Sequence, residues 1–338
     1  MRAKLVAVKA SPSPRNRSIN LDDQDRLRLR PRLGVLPPGG GSIGLEEARD
    51  RVFEGDCLEV LPLLPPASAD LLVADPPYNL DRVFGAERGR SMDDEAYEAY
   101  TLRWLDAALP LLKPDASLYV FGDWRGSSAV YRALRARCFV RNRIVWEREK
   151  GRASGRNWKN AHEEIWFATL GEDWYFDGGA VVQRRRVLAP YRDAGGGPRD
   201  WREEAGGRWR DTAASNIWTD ITVPFWSMPE NTAHPAQKPE KLLAKLVLAS
   251  SRPGGLVLDP FLGSGSSAAA ARKLGRSFIG IELDPEHCIL ALRRLELAAE
   301  DPGIQGYEDG VFWERNTLAA QRASRRSSSS RTIGRWSE

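Results

Sequence analysis

The feature that most limits this chain is a repeated alternation. Short, unbroken apolar runs are each followed by a stretch whose apolar residues recur every three or four positions. The runs at 71–74, 118–121, 256–258 and 278–281 have strand length and are apolar throughout, as strands covered on both faces must be. After the first run, 93–112 sets Tyr97, Tyr100, Trp104 and Ala108 on one helical face, and Lys113-Pro114-Asp115 stops it. A helix at 127–137 and a strand at 139–146 follow. From Pro239, a favourable first helical residue, Leu242, Leu243, Leu246 and Val247 share a face until Pro253-Gly254-Gly255; further helices are expected at 266–274 and 285–299. Such alternation builds a mostly parallel α/β sheet.

The pattern lapses in three places. Residues 1–48, with Arg26, Arg28, Arg30 and Arg32 and then Pro37-Pro38-Gly39-Gly40-Gly41, read as a flexible basic arm. Residues 151–230 are rich in Gly, Arg and Trp with weak periodicity and read as an irregular insert that separates two halves of one fold, 49–150 and 231–300. Residues 301–338 form an extension ending in a basic Ser/Arg tail, Arg325-Arg326 followed by four serines. At 42% hydrophobic residues the chain has material for a core, and no apolar stretch reaches the ~18 residues of a membrane span. The three cysteines lack CxxC spacing, and with three histidines they leave little for zinc or haem, so metal-free chemistry in a reducing compartment is expected. A net charge of +4 over 338 residues permits a nucleic-acid partner without requiring one.

Two turns carry chemistry. Asp259-Pro260-Phe261-Leu262-Gly263-Ser264-Gly265 lies between a strand and a helix, and Glu282 closes the next strand. Glycines at such a turn let a ligand approach backbone, and an acid about 20 residues further on can bind ribose hydroxyls. A dinucleotide is the rival ligand, but GxGxxG is absent and Asp259 would repel a pyrophosphate. A cationic ligand such as S-adenosylmethionine suits the acid better; a tight turn with no ligand is the plain alternative. The other turn, Asp75-Pro76-Pro77-Tyr78, follows a strand at its carboxyl end. An amino group on an aromatic base is a poor nucleophile because its lone pair is delocalised into the ring. A carboxylate and a carbonyl that accept its two hydrogens would localise that pair; the prolines would fix the carbonyl of Pro76, and Tyr78 would stack on the base. A proline-rich strand cap is the alternative.

In this order the two turns resemble the permuted beta class of amino-group DNA methyltransferases, in which the catalytic motif precedes the cofactor motif. The likeness runs through about 51–299. Besides both turns it rests on Val52-Phe53-Glu54-Gly55-Asp56, Phe121-Gly122-Asp123, Ala161-His162-Glu163-Glu164-Ile165-Trp166-Phe167, Asn216-Ile217-Trp218 and His234-Pro235-Ala236-Gln237-Lys238-Pro239. Leu262, Ala236 and Cys288 depart from the usual Ala, Thr and Tyr. The resemblance implies a Rossmann-like class I methyltransferase fold, a mostly parallel seven-stranded sheet in permuted order with a recognition insert.

It also implies roles. Asp75, Pro76, Pro77 and Tyr78 would be catalytic. Asp56 would contact the cofactor's adenine and Glu282 its ribose. Asp259, Phe261, Gly263 and Gly265 would line the methionine end, with Lys238 on its carboxylate, and Asp75 and Ser264 complete the cofactor-binding set. His234 and the His162-Glu163-Glu164 run are read as structural, the latter lacking HExxH spacing. Arg152, Arg156, Arg184, Arg185, Arg186 and Arg208, interleaved with Trp158, Trp201, Trp209 and Trp226, are the candidate DNA contacts, against the reading that the tryptophans form a compact core and the arginines solvate it. The segment 80–92 is a candidate lid over an extruded base. The implied partner is double-stranded DNA, with a cognate restriction endonuclease and a homodimer as further expectations, in the prokaryotic cytoplasm at the nucleoid. N6 of adenine is favoured as target because aspartate opens the catalytic motif; N4 of cytosine, a DNA-binding homologue that has lost catalysis, and methylation of RNA or a protein amide are the alternatives.

Overall fold

The computed structural model describes residues 15–79, 92–148, 155–188, 191–204 and 207–321, with the backbone of 82–84 and 87–89. Residues 1–14, Arg152, the side chains of the 80–91 segment and the tail from 322 onward lie outside the described residues.

In chain order the strands are β1 (Arg51–Glu54), β2 (Ala69–Ala74), β3 (Arg82–Phe84), β4 (Glu87–Gly89), β5 (Leu112–Gly122), β6 (Phe139–Glu147), β7 (His162–Thr169), β8 (Gln183–Arg186), β9 (Arg202–Glu204), β10 (Gly207–Thr212), β11 (Ile217–Trp218), β12 (Leu256–Asp259), β13 (Ser277–Glu282), β14 (Tyr307–Glu308) and β15 (Val311–Trp313). The helices are α1 (Asp23–Leu29), α2 (Leu45–Ala48), α3 (Cys57–Val60), α4 (Asp94–Ala108), α5 (Ser127–Arg135), α6 (Glu240–Ser250), α7 (Ser266–Lys273) and α8 (Pro285–Glu300).

The main sheet runs β1-β13-β12-β2-β5-β7-β6-β11. From β1 to β5 every pairing is parallel, β7 is antiparallel to both neighbours, and the two-residue β11 adds a parallel edge to the expected seven strands. Successive residues of β2 serve opposite faces. Leu71 and Val73 join the core with α6, α7 and α8, while Leu72 and Ala74 join the core with α3, α4 and α5. Both sides of the strand are therefore apolar, which is why its sequence shows a continuous run. Helix α4 starts where the Asp93 side chain accepts the Ala96 amide and buries Tyr97, Thr101, Trp104, Leu105 and Ala108 along one face.

Three expectations are corrected. Within residues 1–48, the described part is not a free arm. Asp22 caps α1, Leu29 enters the core, and the arginines fix the helix to α8: Arg26 pairs with Glu286, and Arg28 and Arg32 both pair with Glu296. The Arg28 guanidinium, with Arg293 and Arg32, holds the Glu296 carboxyl down at about 2. Next, the 151–230 insert is not wholly outside the fold, because β7 lies inside the main sheet between β5 and β6. Its Ile165, Phe167 and Ala168 are buried on both faces, so it carries no polar-apolar alternation to reveal it. Lastly, besides β7 and the edge strand β11, the described part of the insert forms β8, β9 and β10. These join β14 and β15 of the C-terminal extension in a second sheet, β14-β15-β8-β10-β9. No helix among the described residues is long and apolar enough to cross a membrane.

A buried ion cluster ties the second sheet to α6. Asp220, 4% exposed, faces Lys241 at 2.7 Å and Lys245 at 2.8 Å, and Lys241 also donates to the carbonyl of Trp313 in β15. Replacing Asp220 by Ala would leave two buried ammonium groups without a counter-ion, a loss of about 3–5 kcal/mol of stability. Denaturant unfolding should show that drop, and a change below about 1 kcal/mol would contradict it.

Candidate active site at the carboxyl edge of the sheet

Parallel strands deliver their following loops to one edge. Strand β12 pairs with β2 as Val257↔Leu71 and Leu258↔Leu72, so the Asp75 turn and the 259–265 loop leave adjacent strands at the same rim. Asp123 follows β5 there, Glu282 ends β13, and Asp56 follows β1. Antiparallel β7 brings its beginning to this rim, with Glu164 opposite Gly122. The two expected motifs thus meet.

At the Asp75 turn, Pro76 is buried and Pro77 exposed, and the Tyr97 hydroxyl of α4 donates to the Pro77 carbonyl at 3.1 Å. Asp75 Oδ2 accepts a hydrogen bond from Lys238 Nζ, while Asp75 Oδ1 and the Tyr78 hydroxyl, which faces that carboxylate, are buried with no partner at hydrogen-bond distance among the described residues. Burial raises the Asp75 pKa against the opposing pull of Lys238, and the Glu163 carboxylate adds to the rise. Lys238 lies 5.4 Å from the Tyr78 ring centroid and 5.1 Å from that of Phe121. Its ammonium also lies 3.5 Å from Glu163 Oε2. Lys238, expected on the cofactor's carboxylate, here pairs with Asp75 and lies beside buried Glu163. Glu163, read as packing, belongs to the site, and Arg148 holds its other oxygen.

The glycine loop is built around Asp259, which is 6% exposed. Its carboxylate accepts the Phe261 amide at 2.9 Å and the Ser267 hydroxyl, and burial pushes its pKa up to about 7. Gly263 and Gly265 have φ of +55° and +80°. A Cβ on Gly265 would also sit 2.7 Å from that of Ala291 in α8, so glycine is required twice over. Phe261 meets Trp104 edge-on, with centroids 5.3 Å apart. Ser264, expected at the cofactor, is 2% exposed, and its carbonyl and hydroxyl face Arg294 at 3.1 and 3.2 Å. Arg294 in turn pairs with Glu240 at 2.9 Å. Sequence reasoning missed this buried arginine because nothing in its helical spacing sets it apart.

Glu282 accepts the amides of Gly263 and Asp284 at 2.7 and 2.8 Å, and Asp56 caps α3 through the Leu58 amide at 2.8 Å. His234 packs edge-on against His287 at 4.4 Å. Burial, reinforced by the charge of His287, lowers the His234 pKa to about 4, so it is neutral at pH 7. Among the described residues no three His, Cys, Asp or Glu side chains gather as a metal site.

The candidate DNA contacts divide. Arg184 is 8% exposed, makes a two-pronged pair with Asp211 at 2.8 and 2.9 Å, and lies 5.0 Å from the Trp313 ring. It is an internal tie of the second sheet, not a surface contact, because an arginine in mid-strand opposite Asp211 finds its partner there. Arg185 is half-buried and donates to the Gln183 side chain at 3.1 Å. Arg156, Arg186 and Arg208 are exposed; Arg186 lies over Trp209 and Arg208 over Trp201. Trp201 and Trp209 are buried, whereas Trp158 is 93% exposed.

A parallel sheet with acids gathered at its carboxyl edge, beside a proline turn, is a Rossmann-like fold with its ligand-binding edge marked. The family model for DNA methylase (N6/N4 methyltransferases) matches residues 69–293. The chain is 31% identical over 259 residues to DNA adenine methyltransferase YhdJ of Escherichia coli K12, covering 73% of this chain and 83% of that protein. It is 29% identical over 257 residues to type II methyltransferase M.BglII of Bacillus subtilis, covering 73% and 69% respectively. The PvuII DNA methyltransferase (cytosine-N4-specific) shares its fold at a TM-score of 0.53 and 20% identity, over 77% of this chain and 92% of that one. The chain belongs to the DNA methylase family.

Asp259 makes stability depend on pH. Its folded pKa of about 7 lies above the usual carboxylate value, so its contribution is complete below about pH 4 and is lost as pH rises towards 7. Asp259→Asn, neutral throughout, should therefore gain on the wild type between those limits, by on the order of 3 kcal/mol at pH 7 without ligand. Urea midpoints at pH 4 and 7 measure this; parallel pH dependences would contradict it.

Proposed function

We propose that this chain transfers a methyl group from S-adenosylmethionine to the exocyclic amine of a base extruded from duplex DNA, N6 of adenine being the target. The observation that carries this reading is the juxtaposition at one rim of Asp75, with its buried and unpartnered Oδ1, and the Asp259 loop. The residues present fit the donor. Asp259 has only an amide and a hydroxyl as hydrogen-bond partners, and its raised pKa marks a carboxylate that a cationic ligand would relieve. S-adenosylmethionine, when bound, supplies a methyl group on a positively charged sulfur.

The chain's own residues would hold and aim the two reactants. Asp259, Phe261, Gly263 and Gly265 would border the methionine end. Glu282, which keeps acceptor capacity beyond its two amide bonds, would take the ribose hydroxyls, and Asp56 the adenine. Asp75 Oδ1 and the carbonyl of Pro76 would accept the two amino hydrogens, localising the nitrogen lone pair, with the Tyr78 ring against the base. The amine so held would take the methyl group that the bound donor supplies, the sulfur keeping the electron pair of the bond broken, and would release one proton to solvent. Rate enhancement comes mainly from alignment and from acceptors already in position.

The exposed Arg186 and Arg208 of the second sheet, and Arg156 between β6 and β7, are the candidates for phosphate or base contact. Aspartate at the head of the catalytic turn and the likeness to an adenine methyltransferase support adenine; the N4-cytosine relative supports the other base as the second reading. A partner restriction endonuclease is supported by the type II relative. A homodimer and action at the nucleoid in the prokaryotic cytoplasm complete the reading.

Asp75→Ala should lower methyl transfer by at least about 100-fold while calorimetry finds S-adenosylmethionine bound within about threefold of the wild-type affinity. Tritium transfer to duplex DNA reads the first quantity. Turnover above a few per cent would remove Asp75 from the mechanism, and failure of the wild type to bind the cofactor would favour a non-catalytic DNA-binding homologue.

A further inference from the structure

Asp75 and Glu163 share one ammonium. Lys238 Nζ donates to Asp75 Oδ2, lies 3.5 Å from Glu163 Oε2 and reaches the Ala236 carbonyl at 3.4 Å. Arg148 occupies Glu163 Oε1, whereas Glu163 Oε2 and Asp75 Oδ1 are buried with no partner at hydrogen-bond distance among the described residues; the Tyr78 hydroxyl, likewise without one, faces both carboxylates. The side chains of Lys238 and Glu163 are 7% and 5% exposed, so water screens little of the attraction between them. An ammonium has three donors and could satisfy both oxygens of Asp75. Glu163 is the group that pulls it the other way.

We propose that Glu163 is a positioning residue for methyl transfer: by drawing on the Lys238 ammonium, it confines that ammonium to Asp75 Oδ2 and leaves Oδ1 open to the target amine. The inference rests on the role given to Asp75 above. Without Glu163, Lys238 would fold over both oxygens of Asp75 and occupy the acceptor that the amine needs. The charges also balance. Asp75 and Glu163 oppose Lys238 and Arg148, so a change to any one of the four moves the titration of Asp75. Other titratable groups face this set from the surrounding elements: Asp259 and Tyr97 both feel the charge of Asp75, Asp123 lies by Glu163, Tyr78 faces both carboxylates, and His234 lies by Lys238. All of them stay in place in the variants below. Removing the Glu163 charge should make Asp75 easier to ionise; removing the Arg148 charge, which leaves Glu163 uncompensated, should make it harder.

The test measures methyl transfer from S-adenosylmethionine to duplex DNA against pH for the wild type, Glu163→Gln, Glu163→Asp and Arg148→Gln, with calorimetry of cofactor binding and a melting curve for each. Glu163→Gln should lose at least about tenfold in kcat, keep cofactor Kd within about threefold, and shift the acid limb of the kcat profile to lower pH. Arg148→Gln should shift that limb to higher pH, and Glu163→Asp should return it towards the wild-type position. An active wild type with an unchanged kcat and limb in Glu163→Gln overturns the inference alone, as does a kcat loss matched by an equal loss of cofactor affinity. A wild type that transfers no methyl group overturns the reading of Asp75 and the inference with it. Should Glu163→Gln fail to fold, the Arg148→Gln limb decides: upward supports the inference, unmoved or downward overturns it.

Discussion

The site depends on the parallel pairing of β2 with β12. The strands come from opposite ends of the fold's sequence, yet Leu71 and Leu72 lie beside Val257 and Leu258. That pairing sends the Asp75 turn and the Asp259 loop out of the same edge. Its register is guarded by burial on both faces, since Leu71 and Leu72 enter different cores. A slip of one residue would exchange those two sets and the helices packed on them.

Around this edge the fold accumulates acid where burial penalises it. Asp75 and Asp259 both ionise less readily than free carboxylates because they are desolvated; Glu163 adds to the rise at Asp75, and Asp75 to that at Asp259. Such groups lower the stability of the empty protein and are characteristic of sites that act on charged or polarised ligands. Other buried charges are compensated locally, as with Asp220 between Lys241 and Lys245, or Arg184 against Asp211.

Much of this was legible from residues alone. Strands β2, β5, β12 and β13 show continuous apolar runs because they are covered on both sides, and α4 shows its stripe because only one face is. The two turns could be read because proline and glycine restrict or free the backbone in ways few other residues do. What escaped was tertiary. The charged strands β8 and β9 look like solvated polypeptide until Arg184 meets Asp211 and Arg202 meets Glu204. Helix α1, seven residues long, depends on Glu286 and Glu296 in a helix that follows it by more than 250 positions. Glu163 was set aside with its neighbours His162 and Glu164 because chain spacing cannot show that β7, β2 and the segment before α6 converge on one ammonium.

The central claim is that the rim at Asp75 and Asp259 aligns a methyl donor with an amino group on a DNA base. Mass spectrometry of nucleosides from duplex DNA incubated with the protein and S-adenosylmethionine tests it most directly. The account predicts N6-methyladenine as the new nucleoside. Its replacement by N4-methylcytosine would correct the target base, and the absence of any amino-methylated nucleoside would contradict the account.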